Sequence, residues 1–251
     1  MILLFTVSAF DSVGIISAMN EELALIRESM KVERVDTIAR RTFVVGSIGG
    51  VPCVCVQAGV GKVNAAITAE ILVSHYGVDA VIFSGVAGGI NSGLGIGDIV
   101  ISEQVLHHDY GAITPTAFLP WDTTGYAADT LLVRIAQDQA KVLHFEALPE
   151  NICKETKHFP RIMTGRVVTG DQFIASEEKR QWLEKIFRAD CVEMEGAAVA
   201  QVCSIHRVPF VVIRCLSDLA NEHADIDFEM FVSFAAKNSC RLVIGMMHML
   251  K

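Results

Sequence analysis

The sequence predicts an α/β fold: a single domain of three layers, α/β/α, around a mixed, mostly parallel central sheet. Three observations carry this. Short apolar runs alternate with helical patterns along the chain, the signature of a largely parallel sheet. The runs are apolar at consecutive positions, as in strands covered on both faces. A doubled glycine, Gly49-Gly50, joins two β-rich runs early in the chain, so a hairpin makes the sheet mixed.

Taken in order, Val13–Ala18 reads as a buried strand and Asn20–Met30 as a helix. Thr42–Ile48 and Val51–Gln57 form the hairpin. A helix follows from Lys62 to about Tyr76, with Val63, Ala66, Ile67 and Ile71 on its apolar face. Ala80–Ser84 is a strand ended by glycines, and Ile99–Val105 another. Ala128–Val142 is helical, Arg161–Val168 a strand and Ser176–Phe187 a helix. A strand around Cys191 leads into a helix from Met194, with Ala198, Val202 and Ile205 facing the core. Phe210–Cys215 is the last strand, and Phe228–Leu250 a long final helix. Between His107 and Tyr126 lies an irregular stretch with two prolines; a loop of this length is usually functional or an interface element.

Composition narrows the function. The chain has 251 residues, 51% hydrophobic and 20% charged, with a formal net charge of -8. That balance, without a Lys/Arg cluster, argues against nucleic-acid binding, because phosphate contact needs a basic patch. The 7 cysteines are odd in number and sit in apolar runs, as free thiols in a reducing cytoplasm do. Cys53-x-Cys55 and Cys203-x-x-His206 lack second ligand pairs, so no metal is expected. The apolar opening Met1–Phe10 has no basic residue before it and is too short to span a membrane. We expect residues 1–12 to be an N-terminal extension and 13–251 one catalytic domain.

Two glycine-rich segments follow strands. Ala58-Gly-Val-Gly-Lys62 is not a phosphate-binding P-loop, because Val56 stands where the first Gly would be and Val63 follows the lysine. Gly85-Val-Ala-Gly-Gly89 lacks the dinucleotide spacing. Each can be a tight turn; together they favour a ligand crevice at the carboxyl ends of strands. Acidic residues cluster at the same ends: Glu21-Glu22, Glu193 with Glu195, and Asp218. Any one could stabilise a helix N-terminus by about 0.3–1 kcal/mol. Three after three buried strands fit acid–base work better, since burial raises carboxyl pKa values toward neutrality.

Gly14-Ile-Ile-Ser-Ala-Met-Asn-Glu-Glu22, Gly59-Val-Gly-Lys-Val63, Ser84-Gly-Val-Ala-Gly-Gly89, Gly97-Asp-Ile-Val100, Thr169-Gly-Asp-Gln-Phe-Ile174, Val192-Glu-Met-Glu195 and Arg214-Cys-Leu-Ser-Asp218 occur in this order. With them the chain resembles the methylthioadenosine/S-adenosylhomocysteine nucleosidases of the nucleoside phosphorylase family over about residues 13 to 250. The resemblance implies a nucleoside phosphorylase-like fold, an adenine-nucleoside substrate, no cofactor and a homodimer. It implies that Asp218 protonates the imidazole ring of adenine, with Ser217 holding its carboxyl. Glu22 would deprotonate the attacking water, and Arg214 would help to place it. Glu195 would grip the ribose hydroxyls, and Met194 and Met19 would line the sugar pocket. Phe173 would stack on adenine while the backbone of Ile174 reads its edge. Glu193 would accept hydrogen bonds behind them, and Val86, Ala87 and Gly88 would form one wall.

Related phosphorylases carry an Arg before the glycine-rich segment, where this chain has Phe83 and Ser84. With Glu22 on the first-strand loop, this favours water over phosphate as the nucleophile. The alternatives are a phosphate-dependent nucleoside phosphorylase and a non-catalytic nucleoside-binding or storage protein. Val86 replaces a Ser often seen in the family. The segment after Asp109 also departs from the family pattern, where it helps to form the 5′-pocket across a dimer interface. Methylthioadenosine, S-adenosylhomocysteine, 5′-deoxyadenosine and aminodeoxyfutalosine therefore all stay open as substrates. His107 and His108, just before that segment, read as solvated or interfacial.

Overall fold

The computed structural model describes residues 10–148 and 159–251. The reading of Met1–Phe10 as an extra segment, Phe10 aside, and that of Cys153 as a free thiol fall outside these residues.

The chain begins with β1 (Val13–Ser17), a strand buried at every position. A turn through Glu22 then leads to α1 (Ala24–Glu28), which is shorter than the sequence suggested because Asn20–Leu23 fold as a turn around the Glu22 carboxylate. Next comes β2 (Lys31–Ile38), which the sequence did not announce: its residues are exposed or half-exposed throughout, so no apolar run marks it. It pairs antiparallel with β3 (Arg41–Ile48), which forms the expected hairpin with β4 (Val51–Gln57). Gly49 and Gly50, at φ 61° and 90°, make that turn.

After α2 (Lys62–Ser74) comes β5 (Ala80–Gly89), which stays extended through the glycines that had suggested a turn. Then follow β6 (Ile99–His107), the small pair β7 (Gly111–Ile113) and β8 (Phe118–Pro120), and β9 (Tyr126–Ala127). The stretch expected to be irregular therefore holds three short strands, and β9 extends the sheet beside β6. Asp129 caps α3 (Thr130–Val142) by accepting from the amides of Leu131 and Leu132. The chain closes with β10 (Ile162–Thr169), α4 (Glu177–Phe187), β11 (Cys191–Glu193), α5 (Gly196–His206), β12 (Phe210–Asp218) and α6 (Ala224–Met249).

The sheet runs β11-β10-β6-β12-β5-β1-β4-β3-β2. It curls at one end, where β11 returns to pair antiparallel with β5 through Cys191–Gly89 and Val192–Gly88. Two parallel groups, β4-β1-β5-β12 and β6-β10-β11, meet through antiparallel contacts at β6–β12 and β5–β11, and residues at or just after the carboxyl ends of β1, β5, β10, β11 and β12 line one cavity. Helix α6 packs on β5 and β12 with α1 and α3 beside it, while α2 and α5 pack on each other.

Two helix faces differ from the pattern reading. In α2 the core is met by Ala65, Thr68, Ala69 and Leu72, whereas Val63 is 70% and Ile67 41% exposed. In α5, Ala198 is buried as expected, but Ile205 is 71% exposed. Six cysteines are free and buried among the described residues. No helix there is long and apolar enough to cross a membrane.

Candidate active site at the strand ends

The gathered carboxyl ends enclose a cavity of about 300 Å³. Met19 and Glu22 enter it from the loop after β1, Val60 from the turn before α2, and Val86, Ala87 and Gly88 from β5 itself. Phe173 comes from the loop after β10, and Glu193, Met194 and Glu195 from the β11–α5 junction. Ser217 and Asp218 end β12, and Phe228 reaches in from α6. Ile174 lies just aside, on a neighbouring cleft of about 30 Å³ shared with Phe173, Met194 and Asp218.

Glu22 is 3% exposed. One carboxylate oxygen accepts from the Met19 amide at 2.8 Å and the other from the Val86 amide at 3.0 Å. Burial pushes the Glu22 pKa up, while the Arg214 charge and these amides pull it back. A side chain at Gly85 would meet the Glu22 carboxylate at 2.7 Å and the Arg214 guanidinium at 2.9 Å. Glycine stands there because two charged groups meet against the strand.

Arg214 is not among the residues that line the cavity. It is wholly buried behind it, with Nη2 2.5 Å from Glu193 Oε2 and its guanidinium 4.1 Å from the Phe83 ring centroid. Glu193 also accepts from the amides of Glu195 (3.2 Å) and Gly196 (2.7 Å), and from the Thr169 hydroxyl. Thr169 Oγ1 in turn accepts from the Ala197 amide at 2.8 Å. This network fixes the loop that carries Met194 and Glu195.

Glu195 accepts from the Gly61 amide at 2.7 Å. Burial, then the neighbouring Glu193 charge, pushes its pKa well up. Asp218, 2% exposed, accepts from the Ser217 hydroxyl and the Ala220 amide, both at 2.9 Å. Burial raises its pKa to about 6, and Asp227 adds to the rise. A side chain at Gly88 would meet Asp218 at 2.8 Å, so the second glycine of β5 also makes room for a carboxyl.

The sequence reading missed Val60, Thr169 and Phe228. Phe228 meets Phe173 edge-on with centroids 5.7 Å apart, and the two rings form one aromatic wall. Only its place early in the last helix could have flagged it. His107 is half-buried and meets Gln201 at 3.2 Å. His108 is not solvated: it is 1% exposed under Gly170, and burial lowers its pKa to about 4. Among the described residues no three His, Cys, Asp or Glu side chains converge on a metal position.

The profile of the phosphorylase superfamily matches residues 12–248. The chain is 37% identical over 246 residues to the 5′-methylthioadenosine/S-adenosylhomocysteine nucleosidase of Geobacillus sp. (strain WCH70), covering 95% of this chain and 99% of that one. It superposes with a TM-score of 0.82 on the nucleosidase of the same name from Colwellia psychrerythraea 34H, solved in complex with adenine, at 35% identity and 96% coverage of both chains. It also superposes on futalosine hydrolase of Helicobacter pylori strain 26695, with a TM-score of 0.80, 29% identity and coverage of 94% and 97%.

Proposed function

The chain belongs to the phosphorylase superfamily and, within it, to the 5′-methylthioadenosine/S-adenosylhomocysteine nucleosidases, and we propose that it hydrolyses the N-glycosidic bond of 5′-thio-substituted adenosines. The products are adenine and the free thio-ribose. One observation carries hydrolysis over phosphorolysis: among the described residues, the cavity lining holds four acids, Glu22, Glu193, Glu195 and Asp218, and no basic side chain. A phosphate dianion would meet carboxyl groups and no lining cation to bind it, whereas water needs none.

In the proposed mechanism Asp218 starts protonated and gives its proton to a nitrogen of the adenine imidazole ring. The glycosidic bond breaks with its electron pair moving onto the purine. The sugar develops oxocarbenium character, which Glu22 stabilises electrostatically, while Glu195 grips the ribose hydroxyls. Glu22 removes a proton from water as its oxygen bonds to the anomeric carbon. Phe173 and Phe228 are assigned to the adenine faces, Met19 and Met194 to the sugar, and Ile174 to the purine edge. Arg214 acts from behind, by balancing the charges of Glu22 and Glu193.

Adenine release from methylthioadenosine in phosphate-free buffer tests this reading. Release at the same rate with and without phosphate is expected; release only with phosphate would overturn it.

The working unit is proposed to be a homodimer. Its support is the apolar surface left on α2, α5 and the β7–β8 segment: Val63, Ile67, Ile205, Ile113 and Trp121 are all exposed. Sedimentation at micromolar concentration checks it, and a monomer there would refute it. Free buried thiols support a cytoplasmic site. Residues 13–251 are taken as one catalytic domain, with 1–12 as an extension.

A further inference from the structure

The Gly-Lys sequence after β4 has the look of a phosphate loop, but its lysine points elsewhere. Lys62 Nζ lies 2.7 and 2.8 Å from the two carboxylate oxygens of Asp109, which follows β6. The Lys62 amide donates to Asp171 Oδ1 at 2.8 Å, and the Asp171 amide donates to Asp109 Oδ2 at 3.1 Å. Lys62 Nζ also stands 3.9 Å from Asp171 Oδ2. Three segments far apart in sequence are thus tied in a closed ring.

Both neighbours of this ring reach the active-site cavity. One residue before Lys62, the Gly61 amide holds Glu195 at 2.7 Å. Gly61 sits at φ 99°, and a side chain there would press on Asp171 Oδ1 at 3.2 Å. Two residues after Asp171, Phe173 forms the cavity wall, yet it is 49% exposed. A half-exposed ring on a loop has little core packing to fix it. The ring of bonds through Lys62 provides that fixation instead. The pair is partly shielded, at 23% and 20% side-chain exposure, so it is worth more than an open surface pair. Burial works against the Asp109 charge, but the bonds from Lys62 and Asp171 outweigh it and hold the carboxyl below its ordinary range.

We propose that Lys62 is a positioning residue for adenine-nucleoside binding: through Asp109 and Asp171 it locks the Phe173 loop to the Gly61–Glu195 contact, so that the purine wall and the ribose grip keep one fixed separation. This rests on the nucleosidase reading above. Lys62 touches neither reacting group, so it acts on binding and leaves the chemical step alone.

The test uses the full chain carrying Lys62→Met or Lys62→Arg, with methylthioadenosine kinetics and adenine binding by calorimetry. Lys62→Met should raise KM and the adenine Kd by about tenfold while kcat stays within about twofold. Lys62→Arg, which can still bridge both aspartates, should bring both back to within about threefold of wild type. An unchanged KM and Kd in Lys62→Met, or a fall in kcat at unchanged KM, would overturn the proposal. If Lys62→Met does not fold, Asp171→Ala at an exposed site carries the same expectation and the same refutation. If the wild type releases no adenine from any thio-substituted adenosine, the nucleosidase reading fails, and the adenine Kd alone still decides the role of Lys62.

Discussion

Glu22 and Asp218 reach one cavity from different strand ends, those of β1 and β12, and they are furnished in opposite ways. Glu22 has two backbone amides on its oxygens and the Arg214 guanidinium beside it. Asp218 has one amide and one hydroxyl, no cation among the described residues, and the negative charge of Asp227 adding to its rise. Burial raises both pKa values, but only at Glu22 does a full positive charge oppose it. The first site is suited to holding charge, the second to holding a proton. Two acids on one cavity become base and acid through what surrounds them.

The largest test of this contrast is Asp218→Asn. It keeps shape and hydrogen bonding but cannot give a proton, so turnover should fall by about 10²–10⁴-fold while nucleoside binding stays measurable. Activity within tenfold of wild type would remove Asp218 from the acid role. The same variant should be more stable at pH 8. A folded-state pKa near 6 against an ordinary 3.8 means that, once the unfolded chain has lost the proton, folding must bury a carboxylate charge, so stability is lost as pH rises through that interval. Removing the charge should recover on the order of 2–3 kcal/mol, readable by denaturant melts.

Arg214→Met strikes at the other carboxyl. It leaves Glu193 without its ion pair and should cost about 3–5 kcal/mol of stability. In the folded fraction the Glu22 pKa should climb, so the acid limb of the kcat/KM profile should move to higher pH. An unmoved limb would mean that Arg214 does not keep Glu22 charged.

The smallest expected effect is the wild-type pH profile itself. Rising pH strips the proton from Asp218 above about 6, and falling pH protonates Glu22, so kcat/KM should be bell-shaped with its alkaline limb near 6 in the free enzyme. An alkaline limb that survived at unchanged position after substitution of Ser217 by Ala would show that the Ser217 hydroxyl does not tune Asp218.

Much of this site was legible because it sits at strand ends. Buried strands read as continuous apolar runs, and the acids just after them stood out: Glu22, Glu193 with Glu195, and Asp218. What misled was local pattern where tertiary partners decide. The apolar residues Val63 and Ile67 of α2 marked a face turned to solvent, while Ala65, Thr68, Ala69 and Leu72 meet the core. The polar strand β2 lies on the sheet edge and needs no apolar run. Thr169 opened a recognisable motif but carried no role until folding brought Glu193 to it.

By itself, then, the sequence determined the α/β architecture, the strand-end placement of the acids and the family, since each is written in short-range pattern and motif. Only the tertiary structure decided why β5 carries Gly85 and Gly88. They were expected to turn the chain, yet they lie in an extended strand, and each leaves room for a carboxyl arriving from a distant segment. It also decided that Arg214 stands behind the cavity, and that the lysine after Gly61 binds two aspartates. Charges separated by tens of residues act on one another only once folding brings them within a few ångströms, in surroundings that screen them less than water.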